Sequence, residues 1–216
     1  MLVYGSSLSP FVRKVLAFGA EKGIRLDLQP VGVGSDDPVF VEASPFRKMP
    51  AFRDEDFAIS DSSAIVHYLE AKQPEPALIP AEPRARARTI WFDEFADTIL
   101  TACGAKMFFN RIVAPRFLGR PGDLEAADKA EREDLPPILD YLEGVVPAPG
   151  GFLVGDGLTL ADIAVASPFA NLSHMDVPVD EGRHPKVRAY VDSILSRPSF
   201  ACWIERERGF LAKAAA

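Results

Sequence analysis

Three short segments near the start of the chain hold the residues whose types and spacing could do chemistry. Ser9 and Pro10 follow an apolar run and open a helical pattern, which places a hydroxyl at an N-cap and a proline at the first helical position. A helix start carries about half a positive charge and unpaired backbone N–H groups, so it favours a thiolate or another anion set against it. A thiol of pKa near 8.5 is only a few per cent ionised at neutral pH, and lowering that value by two units takes roughly 2.7 kcal/mol of differential stabilisation. One hydroxyl donor together with the helix terminus could supply it. The plain alternative is that Ser9 only caps its helix. Its position at the tip of the first strand of an α/β sheet, the edge where ligands usually sit, favours the chemical reading.

Met49 and Pro50 stand just before another strand, where a proline is tolerated at the first residue; the isomer of their bond is open in the sequence. Asp61 and Ser62 begin a helix. The run "SDSS" reads as capping residues before an apolar stretch, or as a second anion site in which Ser62 and backbone N–H groups hold a carboxylate and Asp61 an adjacent ammonium. Cys103 and Cys202, far apart and flanked by apolar residues, fit neither a metal site nor a disulfide and are expected to be buried thiols. His67, His174 and His184 lack a triad context and read as structural or surface groups.

The elements that must position these residues change character along the chain. Strand signals at 2–5 and 26–31 flank a helix carrying Val12, Val15, Leu16 and Gly19 at helical spacing, a β-α-β unit with parallel strands. Two short runs, 51–54 and 56–60, suit an antiparallel hairpin, and a helix carrying Ile65, Val66, Tyr68 and Leu69 inward follows. A stretch with Pro74, Pro76, Pro80 and Pro83 then reads as an interdomain linker. Beyond it, helices are expected at 84–110, 123–144, 159–173, 185–196 and 199–212, the second kinked or restarted at Pro136 and Pro137. Met107, Phe108, Phe109 and Arg111 lie on the first of these. The apolar three are core by default and Arg111 an ordinary surface residue, or with Phe11 they wall an interdomain pocket, where Arg111 would favour an acidic or electron-rich ligand.

Composition narrows the function classes. The 216 residues carry a formal net charge of −7 with scattered basic residues, which argues against nucleic acid. The densest basic stretch, 82–90, opens a helical pattern and reads as a solvated or subunit-facing surface. No apolar run is long enough for a membrane span, the start lacks a leader pattern, and a cytoplasmic location is expected.

Taken in order, these segments resemble the cytosolic glutathione transferase superfamily over essentially the whole chain. "SPFVRKV" (9–15) is similar to the active-site segment of its serine-type classes, nearest to tau, zeta and omega. "SPFRKMPAF" (44–52) resembles the segment ending in the family's cis-proline, and "ISDSSAIVHYLE" (59–70) its glutamyl-binding helix start. "LTLADIAVA" (158–166) resembles its rear-domain capping box with Thr159 and Asp162, and "HPKVRAYVDSILSRPSF" (184–200) its C-terminal pattern. The resemblance implies a thioredoxin-like domain at 1–75, a linker at 76–84 and an all-helical domain at 85–216. It implies that Ser9, or Ser7 in its place, bonds the glutathione sulfur, that Lys48 meets the glycyl end, that Met49 beside a cis Pro50 pairs with the cysteinyl unit, and that Asp61 with Ser62 holds the glutamyl end. The family more often has Glu where Asp61 stands, which would weaken that contact or route it through water.

The activity so implied is attack of glutathione thiolate on a hydrophobic electrophile, in a detoxifying homodimer without a metal, the co-substrate resting on Phe11, Met107, Phe108 and Arg111. Because a serine stands where some classes carry a nucleophilic cysteine, a mixed disulfide on the protein is not expected. Two alternatives stay open: a glutathione-dependent isomerase, dehalogenase or ether-cleaving lyase, and a non-catalytic partner protein of the same fold.

Overall fold

A computed structural model describes residues 1–214. Strand β1 (Leu2–Gly5) is followed by helix α1 (Pro10–Glu21) and β2 (Asp27–Pro30), which pairs parallel to β1, since a crossover must return the chain in the same direction. After α2 (Pro38–Ala43) come β3 (Ala51–Asp54) and β4 (Phe57–Ser60), antiparallel to β1 and to each other, giving the order β2-β1-β3-β4. Helix α3 (Ser62–Lys72) packs beside α1 on one face of this sheet, and α2 covers the other. That is the thioredoxin-like arrangement.

Helix α2 has no counterpart in the sequence reading. It is one and a half turns long and depends on Asp37, whose carboxylate accepts from Val39 and Phe40 N–H at 2.8 and 3.2 Å, and on fully buried Phe40.

The rear half is helical. Helix α4 (Pro83–Phe95) runs on through a π turn (Ala96–Leu100) into α5 (Thr101–Phe108), a second π turn (Phe109–Val113) and α6 (Ala114–Phe117), so one rod extends past the expected end. Helix α7 (Leu124–Lys129) joins α8 (Leu135–Val145) through a third π turn (Ala130–Asp134). Pro136 and Pro137 come just after that π turn, so the run continues past them without a break and the two missing N–H groups fall where the ladder is already rewound. Helices α9 (Leu160–His174), α10 (Pro185–Leu195) and α11 (Pro198–Lys213) complete the bundle. Buried Asp162 accepts from the N–H of Thr159 at 2.9 Å, from Leu153 N–H at 2.8 Å and from the Tyr190 hydroxyl at 2.7 Å, tying the start of α9 to the loop before it and to α10.

Burial around α1 decides how the halves relate. Residues Val12 to Gly19 are all buried, because α1 lies between the sheet on one side and α9 and α11 on the other. The apolar core is consequently continuous, running from Val3 through Val15, Phe18 and Ile163 to Phe200 and Ile204. Each fully buried large side chain contributes about 1.5–3 kcal/mol, so most of what holds α1 in place comes from both halves at once. No helix among the described residues is long and apolar enough to cross a membrane.

Candidate functional site

Sheet register gathers the three chemical segments. Tyr4 pairs with Ala51, and Ala51 with Ser60, so the loop after β1, the Met49–Pro50 step before β3 and the Asp61–Ser62 step after β4 lie along one edge of the sheet. Neighbouring strands stand about 4.8 Å apart, which puts all three steps within the reach of one small extended ligand.

Against this edge the rear helices leave a cavity of about 680 Å³. Gly5 forms part of its floor with φ +152°; a Cβ there would meet Val12 Cγ2 at 2.6 Å and Met49 Cβ at 3.3 Å, so only glycine lets β1, α1 and Met49 converge. Ser7, Ser9, Phe11, Met49 and Phe108 all line the cavity. Ser9 occupies the N-cap of α1, yet its hydroxyl makes no capping bond. Its backbone does the capping work, the N–H donating to Ser6 O at 2.9 Å and the carbonyl accepting from Arg13 N–H at 3.0 Å. Ser7, partly exposed, borders the same space, so both serines of the sequence reading are brought together.

The Met49–Pro50 bond is cis. Lys48 is exposed, outside the cavity wall, in a loop closed by buried Ser44, whose hydroxyl donates to Lys48 O at 2.7 Å and accepts from Lys48 N–H at 3.0 Å. Asp61 caps α3 with one carboxylate oxygen, accepting from Ser63 and Ala64 N–H at 2.9 and 3.0 Å. It does so at φ +83°, ψ 129°, a conformation that costs about 1–3 kcal/mol in a non-glycine residue. Such strain clusters at ligand clamps. Ser62 is buried and donates to Asp97 Oδ2 at 3.3 Å. Beneath it Lys14 bonds Asp93 Oδ1 at 2.7 Å, Asp97 Oδ2 at 2.6 Å and Ser63 Oγ at 3.2 Å. Burial pushes the Asp97 carboxyl up from its ordinary pKa, Lys14 pulls it down, and neighbouring Asp93 adds to the rise.

Two expected pocket residues lie elsewhere. Met107 is fully buried in the main core, because α5 turns that side toward the bundle. Arg111 is held away from the cavity by Asp128 at 2.7 Å and Glu131 at 2.5 Å, carboxylates of α7 and the π turn after it. The wall is made instead by Phe109, Phe117 and Phe210, the last two stacked at 5.5 Å, and by Thr101 and Gly104. Cys202 is exposed on α11, against the expectation of burial, while Cys103 is buried.

The sequence reading also missed a buried ionic clamp under the serine loop. Arg13 donates from Nε and Nη2 to the two oxygens of Glu207 at 3.1 and 2.8 Å, and from Nη1 to Ser167 O at 2.7 Å and Asn171 Oδ1 at 3.0 Å. His174 Nε2 lies 2.8 Å from Glu207 Oε2, so this histidine is a buried partner of the clamp. Asn171 Nδ2 donates to Leu8 O, and the Ser167 hydroxyl to Pro10 O, both at 2.8 Å. The carbonyls on either side of Ser9 are thereby pinned to α9, which α11 locks through Arg13. Nothing in the local pattern of α1 marked Arg13 as buried. A signal was present only in the pairing of an in-helix Arg with polar residues more than 150 positions away.

Comparison with known proteins bears on what this edge binds. Residues 3–77 match the family model described as glutathione S-transferase, N-terminal domain, and residues 114–207 the model described as glutathione S-transferase, C-terminal domain. A glutathione S-transferase of Hyoscyamus muticus is 29% identical over 95% of this chain and 98% of its own. Glutathione S-transferase 3 of Zea mays is 30% identical over 92% of this chain and 90% of its own. The crystal structure of glutathione transferase F7 from Populus trichocarpa superposes with a TM-score of 0.80 at 27% identity, covering 94% of this chain and 97% of that one.

Proposed function

Since the chain belongs to the glutathione S-transferase family of enzymes, we propose that it binds glutathione along the sheet edge and transfers its thiolate to an apolar electrophile held in the cavity. The observation that carries this is the Ser9 hydroxyl, which sits at a helix N-terminus facing a ligand-sized cavity and caps nothing. Ser9 would donate to the glutathione sulfur and favour its ionised form, and the helix terminus would add to that field. Lys48 would meet the glycyl carboxylate, the backbone of Met49 the cysteinyl unit, and Asp61 with Ser62 the glutamyl end. Phe11 and Phe108 would hold the electrophile. Proximity and ionisation supply the rate.

The same reading divides the chain into a glutathione domain at 1–75, a linker at 76–84 and a co-substrate domain at 85–216. A homodimer is part of it, supported by Phe46, which is 87% exposed on the loop before β3. Two unpaired cysteines suit a reducing compartment such as the cytoplasm.

The test is titration of the bound thiol by ultraviolet absorbance. Wild type should lower its pKa below that of free glutathione, and Ser9→Ala should return it by about one to two units, the worth of a hydrogen bond to a charged acceptor. Turnover in that variant should fall by about ten- to hundredfold, with glutathione KM changed less. Full activity in Ser9→Ala with collapse in Ser7→Ala would transfer the role to Ser7. No uptake of glutathione by wild type would end the proposal, and consumption of isomerase or lyase substrates but of no electrophile would redirect it.

A further inference from the structure

Two side chains of α9 reach the serine loop from the rear half, and the role inferred for them rests on the transferase reading. Ser167 and Asn171 stand four residues apart on one face of the helix, and both are buried. Asn171 Nδ2 donates to Leu8 O and the Ser167 hydroxyl to Pro10 O, both at 2.8 Å. Leu8 precedes the N-cap of α1, so its carbonyl lies outside the helical ladder and is met by a side chain instead.

Arg13 fixes which way the Asn171 amide faces. Its Nη1 donates to Asn171 Oδ1 at 3.0 Å, which leaves the amide nitrogen turned toward Leu8. Asn171 also borders the cavity, but its amide is engaged on both sides. Around Ser9 every flanking peptide plane is consequently held. The Leu8–Ser9 plane is fixed at both ends, Leu8 O by Asn171 and Ser9 N–H by Ser6 O at 2.9 Å. The Ser9–Pro10 plane is fixed at Ser9 O by Arg13 N–H at 3.0 Å, and the next plane at Pro10 O by Ser167. With φ −76° and ψ 125° so held, the Cα–Cβ direction of Ser9 is set and only its side-chain torsion is free. Leu8 adds an apolar anchor, buried with Phe108, Ile112 and Leu211 of the rear half. Ser7 has no comparable frame: the bond spanning it, from Leu8 N–H to Ser6 Oγ, is 3.4 Å long and weak.

We infer that Ser167 and Asn171 are positioning residues that aim the Ser9 hydroxyl, so that the helical half sets the acidity of a thiol bound by the front half. A hydrogen bond weakens steeply as donor and acceptor leave their line, and a donor already oriented stabilises charge without reorganising. Neither α9 side chain needs to touch the sulfur. Both act through the one oxygen of Ser9, and removing that oxygen removes their influence.

The experiment is a double-mutant cycle read by ultraviolet titration of bound glutathione, in wild type, Ser167→Ala, Asn171→Leu, Ser9→Ala and the two pairings with Ser9→Ala. Ser167→Ala and Asn171→Leu should each raise the thiol pKa by about half a unit to one unit, part of the shift that Ser9→Ala gives. In the Ser9→Ala background neither should move it further. A purely structural role would lower the melting temperature and show no such coupling. Ser167→Ala removes a single oxygen and keeps the test decisive if Asn171→Leu does not fold. An unmoved thiol pKa in Ser167→Ala, a rise that persists in the Ser9→Ala background, or loss of glutathione uptake by Ser167→Ala overturns this inference and leaves the transferase reading standing. So does a Ser9→Ala protein whose bound thiol is as acidic as in wild type. No glutathione uptake by wild type brings down the transferase reading and this inference with it.

Discussion

Replacing Glu207 by Gln is the sharpest probe of how the serine loop is held. The carboxylate is buried against an equally buried Arg13 guanidinium and accepts two bonds from it, at 3.1 and 2.8 Å, with His174 Nε2 at 2.8 Å on the same side. The variant keeps the shape and removes the countercharge, leaving the Arg13 cation inside the protein among neutral acceptors only, Ser167 O, Asn171 Oδ1 and the new amide oxygen, with the amide NH2 turned against the guanidinium. Removing one partner of a buried pair costs about 3–5 kcal/mol. At about 2–4 °C per kcal/mol for a chain of this size, melting should fall by about 6–20 °C. The pH dependence has a definite sign. Burial works to raise the Glu207 pKa, but the Arg13 charge, then the hydrogen bonds from His174 and Arg13, outweigh it and hold the carboxyl below its ordinary 4.5. A depressed folded pKa gives stability that is present above the unfolded value and lost as pH falls through the folded one. The gap in melting temperature between wild type and Glu207→Gln should thus be widest above about pH 5 and close below it. Calorimetry over that range is the assay, and a variant that melts within about 2 °C of wild type at neutral pH refutes the clamp as a source of stability.

Phe46→Asp should split the proposed dimer. Losing about 1.5–3 kcal/mol from each of two symmetric sites raises the dissociation constant by about a hundred- to ten-thousandfold, which sedimentation at micromolar protein would detect; an unaltered dimer would show that the contact lies elsewhere. A thiol reagent at neutral pH should label one cysteine per native chain, exposed Cys202, while Cys103, buried with its thiol pushed up to about 11 by burial and then by Asp134, reacts only after denaturation. Two fast equivalents would contradict that burial.

Local chemistry was legible in the sequence where one segment decided it. The Ser9–Pro10 helix start, the hairpin before α3, the Thr159–Asp162 cap and the last two helices all depend on neighbours within a few positions, and the expected bounds lie within a residue or two of those found. What was not legible depends on distant partners. Arg13 and Lys14 look like the solvent side of α1 until α9, α11 and α4 close over them and supply Glu207, Asp93 and Asp97. Arg111 could be read as a cleft cation or as an ordinary surface residue, and Asp128 and Glu131, which no local pattern ties to it, draw it away from the cavity. Met107 and Phe108 are adjacent on α5 and so point about 100° apart; the sequence offered both to the pocket, and only the packing of the bundle decides that Phe108 lines it while Met107 belongs to the core. Helix α2 escaped notice because its stability lies in one cap and one buried ring rather than in periodicity.

Because α1 is buried against both halves at once, the proline-rich stretch after α3 is not a seam along which the molecule can be taken apart. A chimaera joined there would bring Arg13 and Lys14 against a foreign α9, α11 and α4 that need not carry Glu207, Asp93 and Asp97, stranding two cations in its interior. A helical half carried over intact would therefore have to bring those three carboxylates at the same places, whereas single replacements at the cavity mouth leave both cations paired.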